Sequence, residues 1–121
     1  MKIKLLTLIV EKFESIISKN ISTTRAKDFY DMYIIVNNHI DKINKITLAK
    51  AIERTFKHRN TDFNIEYLND TFEIIKDSIV LKKLFNNYSK KLNYAKSIKY
   101  EDTIDAIKQI IEILDSKIID V

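Results

Sequence analysis

Lys12 stands between Glu11 and Glu14. A second run, Thr24-Arg25-Ala26-Lys27-Asp28-Phe29-Tyr30-Asp31, places two basic and two acidic residues within seven positions at the start of an apolar segment. These residue types can handle phosphate chemistry. Arg25 and Lys27 can meet an anionic oxygen, and Asp28 or Asp31 can orient a cation or receive a proton. A lysine fixed by packing at Phe13 can act as a point charge on a triphosphate. The same residues also admit a plainer reading. Arg25 and Asp28 are three apart and Lys27 and Asp31 four apart, so both pairs can be ordinary helix-surface ion pairs, each contributing about 0.2–0.5 kcal/mol. Asp28 near a helix start also suits the helix dipole, and Lys12 can be solvated. Asp28 and Asp31 share a face, but two carboxylates without a third ligand are a weak metal signal.

Neither this grouping nor any other completes an active site by itself. His39 and His58 are the only histidines, 19 positions apart and without cysteine partners, so zinc is not expected. The absence of glycine excludes phosphate-cradling glycine loops and the nucleophile elbow. The absence of cysteine excludes thiolate and disulfide chemistry. Tyr88, Tyr94 and Tyr100 with Lys90, Lys91, Lys96 and Lys99 form an aromatic–basic patch, a candidate for weak RNA contact. Lysine and arginine total 21 against 17 acids, giving a net charge of +4. The lysines are scattered, a pattern that mostly describes a solvated surface.

The elements that must position these residues read as helices. A chain of 121 residues suits one domain, and 45% hydrophobic content is enough for a core. With neither glycine nor proline, turns fall to Asn, Asp, Ser and Thr. Leu6, Ile9, Phe13, Ile16 and Ile17 form a first stripe at helical period, with Lys12 beside it. After a break from Asn20 to Thr24, Phe29, Met32, Tyr33 and Val36 form a second, ended by Asn37-Asn38-His39 through a left-handed asparagine cap. Asp41 to Lys45 reads as a linker, and Thr47 as the cap of a third helix with Leu48, Ile52 and Phe56 inward. Arg59-Asn60-Thr61-Asp62 breaks that helix. Asn64 caps a fourth, Asp77 or Ser78 starts a fifth, and residues 93–99 form a loop. The last helix, with Ile104, Ile107, Ile110, Ile111, Ile113, Leu114 and Ile118, is apolar over more than half its circumference. It is either central to the domain or covered by another protein. The expectation is a single all-α domain over 1–121, with five or six helices and no sheet.

Met1-Lys2-Ile3-Lys4 and the run from Leu5 to Val10 mimic an export signal, but Glu11-Lys12 cuts the run short. No segment reaches the roughly 20 apolar residues of a membrane span. The reading is a cytoplasmic protein with no membrane contact.

Glu11-Lys12-Phe13-Glu14-Ser15-Ile16-Ile17 and Arg25-Ala26-Lys27-Asp28-Phe29-Tyr30-Asp31-Met32-Tyr33 together resemble the C-terminal half of the AbiEii/AbiGii nucleotidyltransferase toxin family. The likeness continues through Thr55-Phe56 to Arg59-Asn60-Thr61, where Asn60 stands in place of the family's usual glycine, and through Tyr88 to Ala95. The resemblance implies a two-lobed bacterial enzyme of toxin–antitoxin or abortive-infection systems, some members of which modify tRNA. In it, an N-terminal lobe with a Gly-Ser motif and an Asp-x-Asp pair holds Mg²⁺ and a nucleoside triphosphate. A helical lobe supplies a lysine and aspartates to the same cleft. Carried over, Lys12, Asp28 and Asp31 match the catalytic positions, and Arg25 and Lys27 the substrate-binding ones. This chain has no glycine and no Asp-x-Asp, so it matches the helical half alone, as a fragment, truncated frame or split subunit. The implied partners are an N-terminal nucleotidyltransferase lobe or an antitoxin, and no cofactor is expected on this chain by itself. The competing expectation is a helical interaction module that binds a protein through Ile110, Ile113 and Ile118.

Overall fold

A computed structural model describes residues 2–19, 22 and 25–119. Six α-helices follow in order: α1 (Lys2–Lys19), α2 (Ala26–His39), α3 (Lys45–His58), α4 (Ile65–Lys76), α5 (Ile79–Lys90) and α6 (Tyr100–Ile119). Short 3₁₀ turns at Ile40–Lys42 and Asn93–Ala95 join α2 to α3 and α5 to α6. No strand occurs among the described residues, so the all-α expectation holds.

The caps show how a chain without glycine or proline starts its helices. The Asn44 side chain accepts from the Thr47 amide, Asn64 from Tyr67 and Ser78 from Leu81, at 2.9, 2.8 and 3.1 Å. Thr47 is therefore not the cap of α3 but the third residue inside it, and its own amide is the group satisfied. The end of α2 also differs from expectation. Ile40 continues in right-handed geometry and the chain tightens into a 3₁₀ turn, with no left-handed asparagine there. Residues 41–45, read as a linker, thus hold part of that turn, the Asn44 cap and the first residue of α3.

The left-handed asparagine lies instead at the end of α3. Asn60 has φ 57°. The Thr61 amide reaches back to the Phe56 carbonyl (2.8 Å) and the Asn60 amide to that of Lys57 (3.2 Å). This is the paired hydrogen-bond pattern of a Schellman ending. Asparagine tolerates that conformation better than other residues with a β-carbon. Asn60→Val is expected to cost about 1–2 kcal/mol, because a β-branched side chain meets the backbone there, while Asn60→Gly leaves stability within about 1 kcal/mol of the parent. Urea melts of the two variants check this.

Helix α6 packs against α2, α3, α4 and α5, and α1 packs against α2, α3 and α4. The wide apolar surface of α6 is thereby consumed within the domain: Ile104, Ile107, Ile110, Ile111 and Leu114 are all buried. This corrects the interaction-module expectation. Ile110 is fully buried and Ile113 packs, half-buried, against the core; the side chain of Ile118 lies outside the described residues. Tyr100 is a second correction. It belongs to no surface patch: its ring is buried against Phe29 and Phe85, and its hydroxyl donates to the Ile75 carbonyl at 2.7 Å. Tyr100→Phe is expected to lose about 1 kcal/mol by urea denaturation, the net value of one internal hydrogen bond.

Candidate functional site

Successive side chains on a helix point about 100° apart, so Lys12, Phe13 and Glu14 of α1 leave in three directions. Phe13 enters the core against Phe56 of α3, with ring centroids 5.8 Å apart. Lys12, between Ile9 and Ile16 at the edge of the buried stripe, reaches α2. Glu14, between Val10 and Ile17, reaches the end of α3.

On the α2 side, the Lys12 ammonium lies 2.8 Å from Asp28 Oδ1 and 3.0 Å from Asp31 Oδ2. Lys27 approaches the same Asp31 oxygen at 2.8 Å, and Arg25 Nε stands 3.6 Å from Asp28 Oδ2. The five residues singled out in the sequence therefore form one cluster. Its centre is sheltered, with the Lys12 side chain 17% and that of Asp28 9% exposed, while Arg25 and Lys27 form the outer rim. Asp28 and Asp31 can face the same lysine because they are three apart on one helix, with Met32 and Ile35, four residues on from each, buried in the core. The surface-pair reading thus holds for Lys27 and Arg25, whereas Lys12, which the plainer reading left solvated, is sheltered and bridges two helices.

Burial opposes the charge on Lys12 and would lower its pKa, but hydrogen bonds to Asp28 and then Asp31 outweigh it, and the pKa is raised. Asp31 behaves as the mirror case. Burial pushes its pKa up, the hydrogen bonds from Lys27 and Lys12 pull it down, and the net shift is downward. A lowered carboxyl pKa contributes stability above the unfolded value of about 3.9, lost as pH falls through the folded value. A raised lysine pKa contributes below about 10.4 and is lost as pH rises past the folded value. Asp31→Asn should therefore narrow its stability deficit against the parent as pH drops below about 4, a difference that thermal melts across pH 2–7 resolve.

On the α3 side, Glu14 is 4% exposed and both its oxygens are used. Arg59 Nη1 donates to one at 2.7 Å, and the Thr61 hydroxyl to the other at 2.6 Å. The left-handed Asn60 turns the chain so that the residues on either side of it converge on one carboxylate. Glu11 stands 3.8 Å from Arg59 Nη2. The sequence reading did not place Glu14, Arg59 and Thr61 in the site. The available signal was a glutamate at a stripe position, three and four residues from Ile17 and Val10.

The two clusters share an open groove of about 160 Å³ lined by Leu8, Glu11, Lys12, Ser15, Lys19, Arg25, Asp28 and Arg59. Its charged lining can hold an anion. The donor set does not fit Mg²⁺. Lys12, Lys27 and Arg25 already surround the two aspartates, and no group of three His, Cys, Asp or Glu side chains suited to a metal occurs among the described residues.

The family model described as "Nucleotidyl transferase AbiEii toxin, Type IV TA system" matches residues 3–110. This chain belongs to the AbiEii toxin family. No curated protein and no solved structure matches it. The span matched by the AbiEii model contains every charged residue of both clusters. No described helix of this AbiEii chain is long and apolar enough to cross a membrane.

Beside the cluster, Tyr30 packs against Tyr94 and Tyr88 with ring centroids 5.3 and 6.1 Å apart. Burial, followed by the neighbouring Tyr94 hydroxyl, pushes the Tyr88 phenol up to about 12. Tyr94 is exposed and Tyr88 half-buried, so the aromatic patch of the AbiEii chain keeps these two and gains Tyr30 in place of Tyr100.

Proposed function

We propose that this chain supplies the helical half of an AbiEii-type nucleotidyl transfer site and does not transfer nucleotides alone. The observation that carries this is Lys12, held at 2.8 and 3.0 Å between Asp28 and Asp31. An ammonium has three N–H donors, and the aspartates take two. The third is left for a phosphate oxygen, on a lysine whose position is fixed in advance, so little reorganisation is needed when charge develops on the transferring phosphoryl group. Asp28 and Asp31 act here as positioning residues. Arg25 and Lys27 at the rim meet the substrate's outer phosphates or the acceptor RNA.

The other half of such a site, a Gly-Ser loop and an Asp-x-Asp pair, cannot come from these 121 residues, which contain no glycine. It belongs to a nucleotidyltransferase lobe on a flanking segment or a separate polypeptide. The carboxylate pair of that lobe would hold the metal, which would supply electrostatic stabilisation of the transferring phosphoryl group; Lys12, Asp28 and Asp31 of this chain would not ligate it. An antitoxin is the expected regulatory partner, in keeping with the toxin family.

The test is incorporation of labelled nucleoside triphosphates into total tRNA in the presence of Mg²⁺. The chain alone should give no signal above background. Adding a separately expressed nucleotidyltransferase lobe should give transfer that Lys12→Met removes. Transfer by the chain alone, or a reconstituted activity indifferent to Lys12, would overturn the proposal.

A further inference from the structure

Arg59 is separated from Lys12 in sequence by the rest of α1 and the whole of α2 and α3, yet both line the same groove. Its guanidinium has five N–H donors, of which one is spent on Glu14 among the described residues. The side chain is still 39% exposed. The local structure fixes where it points. Buried Glu14 grips Nη1, the Thr61 hydroxyl completes Glu14, and the Asn60 turn sets the chain direction. A guanidinium ordered in this way suits the paired oxygens of a phosphate better than a mobile lysine would.

Four cations, Lys12, Lys19, Arg25 and Arg59, line the groove against two acids, Glu11 and Asp28. Asp28 is committed to Lys12 and Arg25. Glu11 is 53% exposed, and at 3.8 Å it makes only a loose ion pair with Arg59 Nη2. An incoming anion can displace it at little cost, because exposed, solvent-screened pairs of this kind contribute little.

We propose that Arg59 is a second phosphate-contacting side chain of this groove, taking one end of an oligophosphate whose other end meets Lys12, with Glu11 as the side chain the ligand displaces. This rests on the reading of Lys12 as phosphate-facing, and it extends the site to the α3 turn. The phosphates come either from a nucleoside triphosphate or from an RNA backbone.

The experiment titrates the whole chain with inorganic tripolyphosphate, and separately with a short single-stranded RNA, at low salt, by calorimetry and amide chemical shifts. Arg59→Lys keeps a cation for Glu14 but loses the planar fork, and should weaken binding about fivefold. Arg59→Gln paired with Glu14→Gln avoids a buried unpaired carboxylate, and should weaken it about tenfold or more. Glu11→Gln, on the solvent side, should tighten binding about two- to threefold. Lys50→Gln on the exposed face of α3 serves as a control and should change nothing. Tripolyphosphate binding with this pattern assigns the site to a nucleotide's phosphates; the pattern with RNA alone assigns it to the nucleic-acid backbone. The inference is overturned if neither probe binds, or if affinity ignores Arg59 and Glu11. If binding ignores Arg59 while Lys12→Met still abolishes reconstituted transfer, only this inference falls. If binding follows Arg59 but no lobe ever restores transfer, the functional proposal falls and the anion site stands.

Discussion

Replacing Lys12 with methionine should lower folding stability by about 2–3 kcal/mol and reduce reconstituted nucleotide transfer by about 100-fold or more. Methionine keeps the apolar stem that packs at the edge of the α1 stripe, so the change isolates the charge. What remains is a pair of carboxylates on one helix face, Asp28 almost fully buried, facing α1 without the ammonium between them. Removing one partner of a fully buried ion pair costs about 3–5 kcal/mol; the partial exposure of Lys12 and the help of Arg25 and Lys27 at the rim bring this down. The two effects separate cleanly. Adding Asp28→Asn to Lys12→Met removes the more deeply buried of the two charges and leaves Asp31 to Lys27, so stability should recover by about 1 kcal/mol while transfer stays absent. The deficit of Lys12→Met should also shrink at low pH, where the stranded carboxylates take up protons. Chemical denaturation at pH 7 and pH 4, alongside the transfer assay, measures all of this. A Lys12→Met chain as stable as the parent would mean that the ion pair between α1 and α2 contributes nothing. A double variant that regained transfer would mean that Lys12 serves only the fold.

Much of the α2 cluster was legible because its information is local. The spacings from Arg25 to Asp28 and from Lys27 to Asp31 are helix spacings, and the neighbouring apolar residues announce which face is buried. That Lys12 would join them followed from the family resemblance rather than from pattern, since nothing in a one-dimensional reading sets the angle between α1 and α2. The Glu14 cluster was hidden for the same reason. Its partners, Arg59 and Thr61, lie 45 and 47 residues away. The one local clue, an acid in line with Val10 and Ile17, is ambiguous without knowing what covers it. The caps show a subtler limit. Asn44 and Thr47 are both plausible starts of α3, and a capping side chain with its third-residue partner looks the same in sequence as a cap displaced by three. The overwide apolar face of α6 pointed equally to a central helix and to a docking surface. Only the packing of α2, α3, α4 and α5 around it decides for the first.

Phe13→Ala should be the most damaging single truncation in α1, at about 3–5 kcal/mol. Phe13 is fully buried, its ring lies 5.8 Å from Phe56, and Phe56 in turn meets Phe63 edge-on at 5.4 Å. Alanine removes the buried area, the aromatic contact and the support that keeps Phe56 in place, leaving a cavity between α1 and α3. For a chain of this length the loss corresponds to a melting temperature lowered by about 10–20 °C. Phe13→Leu, which retains most of the volume, should cost less than half as much. The consequence reaches past stability, because Phe13 sets the rotation of α1, and that rotation aims Lys12 at α2 and Glu14 at α3. In the leucine variant, which stays folded, the amide shifts of Lys12, Asp28, Glu14 and Arg59 should move together. The Thr61 hydroxyl, held by Glu14, should exchange faster. If those signals stayed still while Phe56 and Phe63 shifted, the two charged clusters would be held by their own ion pairs, and the aromatic contact would serve the core alone.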